Sequence, residues 1–317
     1  MNPRRRRGLV LAALAAAGCY TSQYRTKPRV AVVGGDPIVQ MAEPARFPSA
    51  FDPPMVPFER HSHPPRAGQR LIGLPEASPP RAYPVGLLDR FEVVNDAAGD
   101  EQYVVVRCAL THVVAAWRRR AAGRVLTFEN TAALWRDTSV MRDRETGTWW
   151  SVATGRAIHG PMAGHRLEPR PVIYATVEAW RRTRPHSLWM DLDAPTSVPL
   201  RMRLYGASPW QGVSGKRTAD RRHPPKREVL SVAAGEEAVA FTAKEVRDAR
   251  RLEATLADRP IVLEWDGDLE AVRARTSDGE ELAVIPMYWF AVARHFERVW
   301  TLEELAAGKP GAAATIP

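Results

Sequence analysis

Proline restricts the fold of this chain more than any other residue, since 27 of its 317 residues are prolines. Eleven of them lie between Pro44 and Pro84. Because proline fixes φ and has no backbone N–H group, this stretch excludes a helix and a central strand. The composition is otherwise 45% hydrophobic and 26% charged, which excludes a disordered chain, a collagen-like repeat and a polytopic membrane protein. We therefore expect a globular protein that is not an all-helical bundle.

The first 18 residues predict a bacterial lipoprotein signal peptide. Four arginines precede an apolar run at 8–18, which is too short to span a bilayer. The run ends in Ala-Ala-Gly before Cys19 and resembles the lipobox, in which cleavage leaves the cysteine as a lipid-modified N-terminus. The alternative is an ordinary signal peptide cleaved near Ala17. Tyr20 stands where an inner-membrane retention signal has aspartate, so the expected location is the bacterial cell envelope, at the periplasmic face of the outer membrane.

Such processing changes both the charge and the thiol count. Removal of the four arginines lowers the formal charge from +9 to +5, so the high pI does not indicate a nucleic-acid partner. The short arginine runs at 118–120 and 221–222 are interpreted as solvated surfaces. Lipidation of Cys19 leaves Cys108 as the only free thiol, which excludes an intramolecular disulfide and a four-cysteine zinc site. The expected partner is the membrane, contacted through the lipid.

Short runs of β-branched and aromatic residues alternate with turn signals along the mature chain. They predict a strand-dominated α+β fold of antiparallel hairpins with short helices. The predicted segments are a tether and Pro-rich segment at 19–68, a β-rich domain containing Cys108 at 69–190, a linker or surface excursion at 191–225, a second β-rich half at 226–303 and a flexible tail at 304–317.

The second half repeats the apolar pattern of the first at a spacing of 158 residues. Phe241 falls where Tyr83 stood, and Asp266 takes the place of Cys108. Identities are few, so a chance match of two hairpins is the alternative. A duplication predicts two related β-rich halves packed face to face, of which only the first carries the thiol.

Cys108 is the most distinctive candidate for chemistry, because it ends the strand-like run Tyr-Val-Val-Val-Arg-Cys at 103–108. Arg107 and His112 flank it, and Thr111 follows three residues later. A thiol beside cations and a hydroxyl donor can have a lowered pKa and react as the thiolate. In this hypothesis Thr111 orients the sulfur, and His112 or Arg107 stabilises it. The alternative is a small buried hydrophobic residue, which is the usual state of a cysteine in an apolar strand.

Other candidate residues have simpler explanations. Glu92, Asn95 and Asp96 could bind a cation or act as acid and base, although a turn rich in Asn and Asp also explains them. Trp150 could line a pocket, although core packing is the preferred interpretation. His61 and His63 have no carboxylate or thiol near them in the sequence, so no metal is expected. The phosphate-binding, dinucleotide-binding and hydrolase motifs are missing from the sequence, so no cofactor is expected either.

Six motifs occur in order along the chain: Arg81-Ala-Tyr-Pro, Glu92-Val-Val-Asn-Asp96, Val-Val-Arg-Cys108-Ala-Leu-Thr111, Gly123-Arg-Val-Leu-Thr-Phe128, Asp143-Arg-Glu-Thr-Gly-Thr-Trp-Trp-Ser151 and Gly160-Pro-Met-Ala-Gly164. Together they resemble the bacterial domain-of-unknown-function family 3179. The resemblance covers about 69–190, and the segment from Ile285 to Ala293 is similar to that family's C-terminal tail. In some members selenocysteine occurs in the third motif, so the resemblance implies a redox-type site in a family whose activity is not established.

The third motif of the family reads Cys-Pro-Leu-Cys, or has Thr in the last place. The resemblance assigns Cys108 to the first thiol position and Thr111 to the last, while Ala109 replaces the usual proline. Phe91 stands where many members have His, and Val152 stands where Gln is usual. Dithiol exchange is therefore not expected. Two functions remain open. One is a single-thiol redox or peroxide-handling site that needs an external thiol reductant. The other is a non-catalytic envelope binding or scaffold protein with a decayed site.

Overall fold

The computed structural model describes residues 24–197 and 200–307, so the predicted signal peptide, Cys19 and residues 308–317 lie outside the described residues. In the described part strands predominate, they pair mostly antiparallel, and the helices are short. The predicted strand-dominated α+β fold is confirmed. Among these helices, none has the length and apolar character needed to cross a bilayer.

The strands of the described residues are β1 (Arg29–Val33), β2 (Asp36–Gln40), β3 (Ala50–Phe51), β4 (Met55–Pro57), β5 (Arg70–Leu74), β6 (Arg81–Pro84), β7 (Val93–Ala98), β8 (Glu101–Cys108), β9 (Val113–Arg118), β10 (Arg120–Ala121), β11 (Arg124–Val125), β12 (Phe128–Trp135), β13 (Thr138–Asp143), β14 (Trp149–Ser151), β15 (Ala157–His159), β16 (Ile173–Thr176), β17 (Leu188–Met190), β18 (Glu228–Ala234), β19 (Glu237–Phe241), β20 (Arg251–Leu256), β21 (Arg259–Asp266), β22 (Ala271–Thr276), β23 (Glu281–Leu282), β24 (Ile285–Tyr288) and β25 (Arg298–Trp300). The α-helices are α1 (Val85–Leu88), α2 (Val177–Thr183), α3 (Leu200–Gly206), α4 (Ala243–Ala249), α5 (Trp289–His295) and α6 (Leu302–Ala306). Single turns of 3-10 helix occur at Pro44–Arg46 and Phe58–Arg60.

Two copies of one motif form the body of the protein. In the first copy, the hairpin β5–β6 leads through α1 into the antiparallel meander β7–β8–β9, and β16, α2 and β17 follow later. The expectation that the stretch 44–84 holds no central strand is wrong, because β5 and β6 are inner strands of the sheet β16-β5-β6-β17-β4 and the nearby prolines lie in the connecting loop or at the end of β6. In the second copy, β18–β19, α4, β20–β21–β22, β24, α5 and β25 keep the same order. In both copies, the strand before the second helix pairs antiparallel with the first hairpin strand, and the strand after it pairs parallel with the second.

The residue pairings of the two copies match at the sequence spacing of 158. Ile72 faces Tyr83 in the first hairpin, and Leu230 faces Phe241 in the second. The strands β7, β8 and β9 recur as β20, β21 and β22 with the same lengths and the same register. After the meander the spacing falls to 112, as between β16 and β24. The first copy is therefore longer by 46 residues between its meander and β16.

These additional residues contribute β10 to β15, of which β10 and β11 form a separate two-stranded sheet. The strands β12 to β15 continue the hairpin β1–β2 in one six-stranded sheet. Part of the predicted tether at 19–68 is thus regular structure. The hairpin β1–β2 joins this sheet because Ile38 of β2 is buried in one cluster with Ala133 and Val140.

The two copies also share hydrophobic cores. One face of the first meander, with Val106 and Cys108, belongs to the same buried cluster as Met287 of the second copy. In the opposite direction, Leu269 after β21 packs in a cluster with Leu71 of the first hairpin. Burial of these apolar faces stabilises both copies together. Cys108 consequently lies between the two copies.

The segment 191–225 and the end of the chain pack on this body. The Oδ1 atom of Asp137 accepts hydrogen bonds from the backbone N–H groups of Val213 and Ser214, both at 2.7 Å. The helix α6 reaches into the predicted tail at 304–317, because Thr301 and Glu304 form a capping box at its start. The predicted segment boundaries themselves remain predictions.

Candidate functional site

Cys108 is the last residue of β8, and its side chain is enclosed. Only 1% of its surface is exposed, and it belongs to the largest buried cluster as a free thiol. Alternation along β8 turns Val106 and Cys108 to the same side, toward the additional residues of the first copy. On that side the backbone N–H of Ser139, in β13, donates a hydrogen bond to the Cys108 Sγ atom at 3.3 Å. The sulfur therefore has a polar neighbour inside an apolar cluster.

Ser139 also connects the sulfur to a carboxylate. Its hydroxyl donates to the Glu92 Oε2 atom at 3.1 Å, and the Asn130 Nδ2 atom donates to the same oxygen at 2.9 Å. Burial raises the pKa of Glu92 from 4.5 to about 7. A carboxyl group with such a pKa exchanges a proton near neutral pH, which suits acid–base chemistry. Cys108, Ser139, Glu92 and Asn130 are called the Cys108 cluster below.

A segment of the predicted excursion lies beside this cluster. The Tyr205 hydroxyl, at the end of α3, donates to the Leu110 carbonyl at 2.8 Å and accepts from the Gly212 backbone N–H at 2.9 Å. Burial raises the pKa of Tyr205. The Lys226 Nζ atom lies 3.4 Å from the centre of the Tyr205 ring. Residues 205–212, called the cover below, are thus attached to the turn that follows Cys108.

The model of a family of proteins of unknown function, DUF3179, matches residues 44–314 of the chain. The chain belongs to this family. The match includes both copies of the motif and the cover, and it starts after the β1–β2 hairpin. No curated protein and no solved structure gives a match. Membership of DUF3179 thus extends over more of the chain than the resemblance of the motifs at 69–190.

Among the described residues of this DUF3179 chain, Arg107, Thr111 and His112 form no hydrogen bond with the Cys108 sulfur. Arg107 points to the opposite side of β8, where its Nε atom donates to the Asp89 Oδ1 atom at 3.0 Å. Strand alternation explains this direction, since Arg107 and Cys108 are adjacent. Among the residues described, only the Ser139 backbone N–H forms a hydrogen bond with the Cys108 Sγ atom. The catalytic roles expected for the three neighbours therefore have no contact to support them.

The turn after β8 carries Thr111 and His112 across to the second copy. The Tyr288 backbone N–H donates to the Thr111 carbonyl at 2.8 Å. His112 adopts a φ of 63°, its Nδ1 atom lies 3.0 Å from the Glu228 Oε2 atom, and its ring stacks on Tyr288 at 5.0 Å. Burial lowers the pKa of His112. These residues join the two copies.

Asn95 and Asp96 are buried in the strand β7, so the interpretation as turn residues is wrong. Asn95 donates to the Phe128 carbonyl and accepts from the Phe128 backbone N–H, both at 2.8 Å. Asp96 accepts hydrogen bonds from Arg81, at 2.8 Å, and from the Tyr83 hydroxyl. A buried strand tolerates these polar side chains because their hydrogen bonds are satisfied. Of the predicted binding residues, only Glu92 reaches the Cys108 cluster.

Trp150 packs in the core. It is fully buried, its Nε1 atom donates to the Asp143 Oδ2 atom at 2.7 Å, and its ring meets Phe128 edge to face. The proline-rich segment places His61 3.3 Å from Asp191, a carboxylate that is remote in sequence. Even so, the described ranges contain no group of three or more His, Cys, Asp or Glu residues that could hold a metal ion. Cys19 lies outside them.

Sequence reasoning missed Ser139 and Tyr205. Ser139 lies 31 residues after Cys108, in a strand that belongs to the additional segment of the first copy. Tyr205 lies in a stretch without sustained periodicity. A local signal therefore does not reveal either contact, because each residue comes from a segment that is distant from Cys108 in sequence.

Proposed function

We propose that this DUF3179 chain is an envelope lipoprotein, anchored through Cys19, with a gated single-thiol redox centre at Cys108. The observation that supports it is the hydrogen bond from the Ser139 backbone N–H to the sulfur, 3.3 Å long, in an otherwise apolar cluster. A hydrogen-bond donor stabilises the negative charge of a thiolate. Glu92, joined to the same residue, supplies the acid–base group. In this proposal Ser139 and Glu92 take the roles that the sequence suggested for Thr111 and His112.

The proposed reaction is the reduction of a hydroperoxide. The Cys108 thiol gives its proton to Glu92, and the thiolate sulfur attacks the distal peroxide oxygen, so that an S–O bond forms as the O–O bond breaks. Glu92 returns the proton to the departing alkoxide, which leaves a sulfenic acid and an alcohol. An external thiol then condenses with the sulfenic acid, releasing water and forming a mixed disulfide. A second external thiol restores Cys108 and leaves as the disulfide of the two reductants.

In this proposal hydroperoxide reaches the sulfur when the cover moves. Tyr205 attaches it through the Leu110 carbonyl and the Gly212 N–H. The variant Tyr205→Phe keeps the ring but removes both hydrogen bonds, each of which contributes about 1 kcal/mol. We expect the mature protein to form a sulfenic acid at Cys108 with added hydroperoxide, and Tyr205→Phe to react about 30-fold faster, since two hydrogen bonds together contribute about 2 kcal/mol.

The test traps the sulfenic acid with a dione reagent and follows its mass in time, with Cys108→Ser as the blank. Tyr174→Phe is the matched control, because it removes a phenol in β16, outside the cover. Glu92→Gln should slow the reaction, since the amide cannot transfer the proton. If the thiol of the wild type and of Tyr205→Phe reacts only at the rate of global unfolding, the redox proposal fails. The N-terminal mass of the protein purified from membranes tests the lipid on Cys19 separately.

A second candidate function is a non-catalytic envelope binding or scaffold protein. The observation that favours it is the 1% exposure of Cys108 within the core. For such a protein, Cys108→Ser should complement a null strain fully, and no sulfenic acid should form. A variant that folds but fails to complement would argue for the thiol.

A further inference from the structure

The start of the described chain carries cations that lack counter-ions. Arg25 and Arg29 are exposed and Lys27 is partly exposed. Within the described ranges none of the three forms an ion pair with a carboxylate, and the sequence has no acidic residue from Tyr20 to Gly35. Elsewhere many surface arginines are paired, as in the contact of Arg259 with Glu280. This segment is therefore a local excess of positive charge.

Exposed valines accompany these cations. Val30 is 40% exposed and Val32 is 63% exposed, on the outward face of β1, while Ala31 and Val33 pack toward the inside of the sheet. An edge strand with two exposed β-branched apolar residues is unfavourable in water unless another surface meets it. Arg25, Lys27, Arg29, Val30 and Val32 are called the N-terminal face below.

The segment before this face is held by the body of the protein. Tyr24 lines a cleft together with Asp36, Asp137 and Arg294, and burial raises its pKa to about 12. The Pro28 carbonyl accepts a hydrogen bond from the Gln40 backbone N–H at 2.9 Å. The position of the N-terminal face relative to the fold is thus fixed by contacts on both sides of Lys27.

Chain length then limits how far this face can lie from Cys19. Five peptide steps separate Cys19 from Tyr24. Even a fully extended chain covers no more than about 3.6 Å per residue, so the two Cα atoms are within about 18 Å of each other. A lipid on Cys19 would hold the N-terminal face next to the bilayer. This step depends on the proposed lipidation.

We infer that the N-terminal face docks on an anionic phospholipid bilayer. The three cations complement phosphate headgroups, and the two valines enter the interface between headgroups and acyl chains. Docking would add a second contact to the single lipid-modified residue and orient the protein on the membrane. Two weak contacts on one molecule reinforce each other because the second is intramolecular.

The first experiment uses the mature chain from Tyr20, without the lipid, and flotation with vesicles of phosphatidylglycerol and phosphatidylethanolamine. We expect salt-sensitive binding that is much weaker on phosphatidylcholine. The triple variant Arg25→Glu, Lys27→Glu and Arg29→Glu should bind about a hundredfold more weakly. The matched control reverses three exposed arginines outside this face, Arg66→Glu, Arg120→Glu and Arg221→Glu, and should bind as the wild type does. Equal losses in both triple variants, with folding preserved by circular dichroism, would overturn the inference.

A second experiment separates this inference from the lipidation. The protein purified from membranes is reconstituted into vesicles with brominated lipids, with a fluorophore on Val32→Cys in a Cys108→Ser background. Quenching of this label, but not of one on Asp258→Cys, supports docking. An unlipidated Cys19 together with vesicle binding by the mature chain would refute the anchor and leave the docking surface standing. A lipidated Cys19 with no quenching at residue 32 would refute the docking surface alone.

Discussion

Glu92 offers a quantitative test of the Cys108 cluster through the variant Glu92→Gln. Burial raises the pKa of this carboxyl from 4.5 to about 7, while in the unfolded chain it ionises near its ordinary value. Between these two pH values the folded protein binds more protons than the unfolded one, so the free energy of unfolding falls as the pH rises. At 1.36 kcal/mol per pH unit, the full difference is about 3 kcal/mol. This contribution is fully present below pH 4.5 and lost above about pH 7.

Glutamine removes the titration but keeps an oxygen that can accept hydrogen bonds from Ser139 and Asn130. We therefore expect Glu92→Gln to gain about 3 kcal/mol relative to the wild type as the pH rises from below 4.5 to above 7. Urea unfolding across this range measures the difference, and Glu76→Gln, at an exposed site in a loop, serves as the control. A constant difference between wild type and Glu92→Gln would show that the carboxyl titrates normally, and the acid–base role of Glu92 would have to be abandoned.

Three further predictions concern the surroundings of the cluster. Asp89→Asn should lower the free energy of unfolding by about 3–5 kcal/mol because it leaves Arg107 buried without its counter-ion, and the double variant Asp89→Leu, Arg107→Met should lower it less. A double variant that is less stable than the single one in urea unfolding would contradict this. Trp150→Phe should lower the free energy of unfolding by about 1–3 kcal/mol, because the buried Asp143 loses a hydrogen bond. An unchanged melting temperature would contradict a stabilising role for this hydrogen bond. Burial lowers the pKa of His295 to about 3, so the stability that this group contributes above pH 6.5 is lost as the pH falls toward 3. His295→Gln should make the free energy of unfolding decline less over this range, and parallel plots of that free energy against pH for the two proteins would disprove the prediction.

The sequence predicts the meander of the first copy, but it does not predict the segments that pack against it. The run at 103–108 predicts a buried strand because three consecutive valines suit a pleated surface that is covered on both faces. The spacing of 158 likewise predicts that Phe241 occupies the place of Tyr83, and the strand pairings follow it. These features are encoded locally, in patterns a few residues long.

Features that depend on distant pairing escape such patterns. The strand β2 pairs with β12, so that Val39 faces Leu134, and nothing in the polar and proline-rich start of the chain indicates that partner. Asn95 and Asp96 suggest a turn by composition, yet in β7 their side chains are satisfied by partners from other strands. Local composition cannot distinguish a polar residue at a turn from one whose partners come from elsewhere in the fold.

A comparison of the two copies explains why chemistry is proposed in one of them only. In the first copy, Val93 and Val106 lie on a face that the additional 46 residues and the second copy bury. The equivalent residues of the second copy are Arg251 and Glu264, which pair across the strands on an exposed face. A thiol at the position of Asp266 would lie on the strands that carry these charged side chains and would be partly exposed to solvent. The enclosed polar contact at Cys108 therefore depends on β13 crossing the end of β8, and it is this segment, more than the repeated motif, that distinguishes the two sites.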